Sequence, residues 1–510
     1  MPRYAAIDIG SNSLRLLVAD TTAGRPMQNL AAERQVTRLG ESVFRTGRIS
    51  KEAITFVCQQ LARFAEEYKR HEVLAVRAVA TSAVRDSSNR LEFLQRASQA
   101  AAVPVEIISG QEEARLIHMG VQALWPHPDK RIVILDVGGG SAEVILSENG
   151  RMEAAFSKPL GAVRLTEVFL KSDPPTEQEL HRLDQFIDEK LAAPLNRIGH
   201  GPFDRMIATS ATAAAIVSAV NRIPRPRRDE ADRRRATVGQ VRKFYAELSK
   251  HSLAGRRKMQ GVGPRRAEIV IGGAAVFLRA MAALGQPSLY YSSAGVREGI
   301  VADLAARRVG RELSQLSREQ RQTVAQLAKR CGIAPKHSQK VAELAHELFV
   351  GLMPLHRLTP VWGKLLEASA YLHDVGHFIS DTGHHKHSYY IVQNADLAGF
   401  TDFEQHFIAL LCRYHRKTAP VAGQTPLEAA DAESVRALEL LTPLLRVADS
   451  LDRSQEQKIE HVVCETSERG VRIGLRGRGD ASLEIWAAER IAPLFEQVYG
   501  RPLTFVRQRI

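Results

Sequence analysis

Apolar and polar positions along the chain change period several times, and each change marks an element. Residues 50–70 put Ile54, Val57, Leu61 and Phe64 on one side of a helical turn with charges opposite, and Ser50 stands ready to cap it. Residues 73–80 read as a buried strand that runs into a hydroxyl-rich stretch, 81–89, with Arg85 inside it. Residues 105–108 predict a further strand, followed by a helix opening at Gln111-Glu112-Glu113. In the second half, 206–212 reads as a strand ending in hydroxyls, 221–235 as a Pro- and Arg-rich exposed loop, and 269–275 as a strand, glycine turn and helix. From Val301 the texture becomes long helices rich in Leu, Ala, Arg and Glu. After Asp452 alternation returns: strands at 461–466, 471–475 and 483–486, a helix over 488–499 and a strand near 503–506 predict a small α+β domain.

Two stretches organise this pattern. Residues 135–146 read as strand, glycine turn and strand, with Asp136 closing the first strand and Gly138, Gly139, Gly140 and Ser141 in the turn. Residues 6–18 repeat it with Asp8, Gly10, Ser11, Asn12 and Ser13, so that Asp8 matches Asp136, Ser13 matches Ser141 and Arg15 matches Glu143 at one offset, 136 − 8 = 128. Glycine lets the backbone approach an anion with successive N–H groups aimed at it, and the serine hydroxyls add donors. A carboxylate in such a loop would repel bare phosphate, so Asp8 and Asp136 fit there with a bridging cation, Mg²⁺ with its water shell above all. Two such loops facing one another would clamp one phosphate chain. A single Asp-x-Gly turn is an ordinary hairpin, and the register of the two copies is what lifts them above it.

Composition narrows the partners. At 510 residues the chain exceeds one core and implies three or four domains. The N-terminal residues do not form a secretory signal, 207–220 is too short and too rich in Thr and Ser to span a bilayer, and Cys58, Cys331, Cys412 and Cys464 lack paired spacing. A cytoplasmic protein without membrane partners is the expectation. The net charge of +13 points to a polyanion, either nucleic acid or inorganic polyphosphate, set against a merely solvated Arg-rich surface. With three Trp and no Arg-aromatic interleaving, nucleic acid is the weaker option.

Candidate chemistry follows from position. Arg85 is a candidate phosphate fork, with an ion pair to Asp86 or Glu92 as its structural alternative. Glu112 and Glu113 in a first helical turn are ordinary dipole partners. Their place between the two loops also allows one of them to orient or deprotonate water for hydrolysis of a terminal phosphate. In the helical region His337, His373, Asp374 and Asp449 supply two imidazoles and two carboxylates from three helices, a set able to hold a divalent metal, and His384, His387 and His415 would extend it to two. His384, Lys386 and His387, with Arg413, His415, Arg416 and Lys417, form basic clusters that would hold a phosphate polymer by charge, or simply face solvent.

The paired loops resemble the actin, sugar-kinase and acetate-kinase superfamily. The motifs at 8–13, 81–89, 109–120, 136–143 and 295–299, in that order, are similar to the exopolyphosphatase and guanosine pentaphosphate phosphatase family over nearly the whole chain. The resemblance implies an α/β fold of two ribonuclease-H-like lobes, 1–124 and 125–303, around a cleft. After them it implies an all-α domain at 304–455, with the small α+β domain at 456–510. It implies Glu113 as catalytic base, Arg85 and both glycine loops on phosphate, Asp136 and Glu143 near Mg²⁺, a monovalent cation as a further ligand, and a homodimer through the helical domain. The order His, His-Asp, Asp resembles the HD phosphohydrolase superfamily, although relatives of this kind often carry a degenerate HD fold that binds polymer. The expected function is processive release of terminal phosphate from inorganic polyphosphate. The 5′-dephosphorylation of guanosine pentaphosphate is its near alternative, and a superfamily kinase or a non-enzymatic nucleotide switch are the remoter ones.

Overall fold

The computed structural model describes residues 2–22, 26–199, 201–306, 316, 318–421, 432–468 and 470–507. The chain forms two compact units, Met1–Ala306 and Arg307–Ile510.

The first unit holds two sheets. β1 (Arg3–Ile9), β2 (Ser13–Asp20), β3 (Gln28–Val36), β4 (Ala75–Ala80) and β5 (Val105–Ile107) lie in the order β3-β2-β1-β4-β5. β6 (Arg131–Val137), β7 (Ala142–Glu148), β8 (Arg151–Lys158), β9 (Arg205–Thr209), β10 (Arg235–Thr237) and β11 (Ser288–Tyr291) lie in the order β10-β11-β9-β6-β7-β8. Without the added edge strand β10 the two orders are the same. In each sheet the first strand is antiparallel to the second and parallel to the fourth, so the duplicated hairpin belongs to a duplicated lobe. Both glycine turns therefore lie where the first strand ends, beside the carboxyl end of its parallel neighbour, the usual binding edge of such sheets.

The elements form where the pattern demands. Ser50 accepts from the Ala53 N–H at 3.2 Å and starts the helix Lys51–Arg70, whose Ile54, Val57, Leu61 and Phe64 are fully buried against the first sheet. Burying four such side chains is worth about 1.5–3 kcal/mol each before entropy is counted.

Three local expectations give way. Residues 269–271 are not a strand, because Val270–Ala283 is a helix; its opening residues, 270–277, are apolar or glycine and buried throughout, and a short apolar run does not distinguish that from a strand. Residues 483–486 lie in the helix Ser482–Glu489, where Glu484 is buried while Leu483 and Trp486 are exposed, so the apolar residues mark its outer face. The helix expected over 488–499 is interrupted, with a new helix beginning at Ala492 and running to Tyr499.

The second unit packs the helices Pro335–Gly351, Pro360–Leu372, Asp402–Tyr414 and Ala432–Ser450 with a sheet ordered β12-β13-β14 (Ile459–Ser467, Gly470–Gly477, Leu503–Arg507). Phe349, Leu365 and Leu444 share one apolar core with Ile459, Val471 and Phe495, so the C-terminal strands do not have a core separate from the helices. Among the described residues no helix is long and apolar enough to cross a membrane.

Candidate active site

The two glycine hairpins fold by the same internal bond. The Gly10 N–H donates to the Ser13 carbonyl at 3.1 Å and the Gly138 N–H to the Ser141 carbonyl at 3.0 Å. On the ladders Asp8 stands opposite Arg15 and Asp136 opposite Glu143, the pairs aligned by the sequence repeat. The hairpins also touch each other: a methyl at Gly139 would sit 3.0 Å from the Ser11 side chain and 3.2 Å from the Asn12 nitrogen. A third turn supports them, since the Ala162 and Val163 N–H groups donate to the Gly138 and Gly139 carbonyls at 2.9 Å and Arg164 holds the Gly140 carbonyl at 2.8 Å.

A cavity of about 350 Å³ opens over this contact. Its wall includes Asp8, Gly10, Ser11, Asn12 and Ser13 from the first lobe and Asp136, Gly138, Gly139, Gly140 and Ser141 from the second, with Glu113 between them. The hydroxyls expected at 209–212 are present: Thr209 hydrogen-bonds Asp136, and Ser210 lines the cavity at φ 83°, a strained backbone for a non-glycine residue.

Glu113 and Glu112, indistinguishable by composition, separate by geometry. Glu112 is fully buried in an ion cluster with Arg115 at 2.7 Å and Arg77 at 3.1 Å, and Asp303 joins both arginines. Glu113 faces the cavity with its Oε2 buried and without a hydrogen bond. Its helix, Gly110–Leu124, is capped by the Ser109 hydroxyl and backs onto the helix Val296–Ala306. A methyl at Gly299 would lie 1.8 Å from the Leu116 carbonyl, which is why the 295–299 motif ends in glycine.

Burial raises the Glu113 carboxyl to about 7, with Arg85 opposing and Asp8 and Asp136 adding to the rise. Asp8, Asp136 and Glu143 are likewise raised by burial. Glu143 does not line the cavity; it lies behind Asp136, accepts from Ser157 at 2.8 Å, and leaves Oε2 buried without a partner. Four crowded, desolvated carboxyls, of which Glu113 and Glu143 each keep one oxygen without a hydrogen bond, are a hard, all-oxygen donor set that suits Mg²⁺, with Asp8 and Asp136 at the cavity and Glu143 behind.

Arg85 does not line the cavity. Its guanidinium donates to the Ile108 carbonyl at 2.6 Å and lies 3.7 Å from Glu113, while Asp86 pairs with Arg164. The cationic wall is built instead from Arg15, Arg34, Arg228, Arg266 and Arg297, of which Arg15 was aligned with Glu143 by the sequence repeat and Arg297 lies in the 295–299 motif. Arg228 comes from the stretch expected to be an exposed loop; it is half-buried and donates to the Ala211 carbonyl at 2.8 Å. Burial and mutual repulsion lower Arg228 and Arg266 below the usual guanidinium range. Arg34, Arg228 and Arg266 also line an adjoining cavity of about 220 Å³ with Arg225 and Arg265.

In the second unit His337, His373, Asp374 and Asp449 come together as expected, and His384 and His415 join them. These last two are buried and turned inward, so they are not part of a basic surface; Lys386, Arg416 and Lys417 are exposed, and Arg413 and His387 half-buried. His387 does not enter the cluster, whereas His377 does.

Facing backbone cradles, paired carboxylates and a wall of arginines on a duplicated α/β sheet suit the handling of a phosphoryl group with a cation. Residues 17–308 match the model of the Ppx/GppA phosphatase family, and residues 320–482 match the model of its domain III. The chain belongs to the Ppx/GppA phosphatase family. It is similar to the Aquifex aeolicus family member, at 28% identity over 60% of this chain and 99% of that one, with a TM-score of 0.54. It is similar also to an exopolyphosphatase from Cytophaga hutchinsonii, at 25% identity over 59% and 97% of the two chains, with a TM-score of 0.56. It is a hydrolase acting on phosphoanhydride bonds of polyphosphate or nucleotide phosphates.

Proposed function

We propose that the protein is an exopolyphosphatase that removes terminal phosphate from inorganic polyphosphate in the cleft of the first unit. The observation that carries this choice is the second cavity, lined by Arg34, Arg225, Arg228, Arg265 and Arg266 with no aromatic side chain and no carboxylate. Such a wall continues to bind phosphates beyond the terminal one, and it offers a guanine ring neither an aromatic side chain to stack on nor a carboxylate to accept from its N–H groups.

In the reaction the terminal phosphoryl group lies against the N–H groups and hydroxyls of both hairpins. Glu113 accepts a proton from water as the water oxygen attacks phosphorus, and the anhydride oxygen leaves with the shortened polymer. A carboxyl near 7 is well matched to that task, and Arg85 beside it holds it in place. Asp8 and Asp136, backed by Glu143, would hold Mg²⁺, which when bound neutralises phosphoryl oxygens. Arg34, Arg225, Arg228, Arg265 and Arg266 then grip the chain by charge, which allows it to advance by one phosphate after each cleavage.

Phosphate release from long-chain polyphosphate and from guanosine pentaphosphate at matched enzyme concentration tests the choice. Faster release from polyphosphate is expected, and a preference for guanosine pentaphosphate would reverse it.

A further inference from the structure

The hairpins are not the only part of the first unit that is present twice. Ala80-Thr81-Ser82-Ala83 and Ala208-Thr209-Ser210-Ala211 carry the same residues at the hairpins' own offset, 209 − 81 = 128. Each stands where the parallel neighbour of a hairpin strand gives way to a helix, β4 to Ser82–Asp86 and β9 to Ser210–Val220. A turn placed there in both lobes lies at the same sheet edge as the glycine loops.

The two copies have different partners. In the first lobe the turn is closed: the Ala83 N–H donates to the Ser11 hydroxyl at 3.2 Å, Ser82 accepts from Arg164 at 3.3 Å, and a methyl at Gly140 would fall 2.5 Å from the Ser82 oxygen. In the second lobe the position that corresponds to Ser11 is Gly139, and no side chain caps the helix Ser210–Val220. Thr209 is engaged with Asp136. Ser210 is not engaged, because its hydroxyl is buried and has no hydrogen-bond partner. Its backbone stands at φ 83°, a conformation that Ser82 does not share.

Strain of this kind persists where the surrounding structure fixes the position of a functional atom. A buried hydroxyl without an acceptor is unfavourable, and rotation about one bond carries it between staggered positions. Ser210 borders the cavity of about 350 Å³, so an acceptor within that cavity is what would satisfy it. Two arginines fix where along a substrate that acceptor lies. Arg228 donates to the Ala211 carbonyl at 2.8 Å and Arg266 reaches the Thr212 hydroxyl at 3.5 Å, and both line the adjoining cavity as well as the first. The turn therefore stands where one cavity passes into the other, one phosphate beyond the group that is cleaved.

We propose that Ser210 is a further catalytic residue, whose hydroxyl donates a hydrogen bond to the phosphate next to the terminal one. That phosphate is the leaving group. As the anhydride bond breaks, its electron pair stays on the bridging oxygen and negative charge grows on the departing phosphate. A donor aimed there binds the transition state more tightly than the substrate. No bond to the serine forms and no proton leaves it; the proton of the attacking water goes to Glu113. The role rests on hydrolysis taking place in the cleft, but not on the choice of substrate, because polyphosphate and guanosine pentaphosphate both present a phosphate at that position.

Ser210→Ala removes the hydroxyl and keeps the strained backbone, and Ser210→Gly removes both. The two full-length variants are compared with the native chain on tripolyphosphate over a range of Mg²⁺ concentrations. In each, kcat should fall about 10²-fold, with KM and the Mg²⁺ concentration for half-maximal activity within about threefold of native. Neither change removes a hydrogen bond, so both variants should melt no lower than the native chain, and Ser210→Gly above Ser210→Ala. A kcat within about threefold of native in both variants overturns the inference. So does a fall in kcat that comes with a raised Mg²⁺ requirement, which would show the substitution acting through Asp136. Either result leaves the proposed function standing. Undiminished turnover in both Glu113→Gln and Asp136→Asn would instead remove hydrolysis from the cleft and overturn the two readings together.

Discussion

The two glycine hairpins of the first unit share a turn, a hydrogen bond and a carboxylate, yet they differ in the residue across the ladder. Asp8 faces Arg15, and Asp136 faces Glu143. Arg15 is part of the cavity wall while Glu143 is buried behind it. One copy therefore balances its acid with a cation, and the other doubles its acid. A single cross-strand position thus sets the two copies of one scaffold apart in charge.

Glu113 lies between these copies, and Glu113→Gln tests whether they converge on it. Phosphate release should fall about 10³-fold with polymer binding unchanged, as kcat and equilibrium binding of the variant would reveal. Undiminished turnover would remove Glu113 as the base. Next in size, Asp136→Asn should lower kcat about 10²-fold and raise the Mg²⁺ concentration for half-maximal activity, and Asp8→Asn should do so less because Arg15 remains opposite it. Equal effects would erase the asymmetry. Arg266→Ala should raise KM for long-chain polyphosphate about tenfold and leave kcat within about twofold, with tripolyphosphate less affected. The smallest effect concerns pH. Glu113 must be ionised to accept a proton and its carboxyl is raised to about 7, so kcat/KM should rise with pH toward a plateau above that value. A nearby cation favours the carboxylate, so added Mg²⁺ should move the rise to lower pH, measurable in a pH profile at two Mg²⁺ concentrations.

The duplication was legible because it is carried by residue identity at constant spacing, and the ladder pairs Asp8–Arg15 and Asp136–Glu143 follow from it directly. The helix at Lys51–Arg70 was legible because one face is wet and the other dry. Val270–Ala283 was not, since its opening run, 270–277, is buried throughout and has no wet side to read. The arginine wall was hidden for another reason: Arg34, Arg228 and Arg266 come from separate elements, and only the fold brings them to one cavity. Arg85 was visible in the sequence but its target was not, and it spends its charge on Glu113 and the Ile108 carbonyl. In the second unit His-Asp and Asp449 were readable as metal chemistry, whereas the inward turn of His384 and His415 depends on helix phase within a larger assembly.

A carbon added at Gly139 would meet Ser11 at 3.0 Å and Asn12 at 3.2 Å, and one at Gly140 would fall 2.7 Å from the Ser11 hydroxyl, so the opposite hairpin would have to shift. Gene duplication ordinarily frees one copy to drift, but here each hairpin is part of the other's mould. A substitution that enlarges either loop must be answered across the cleft, so the two halves are bound to evolve as one.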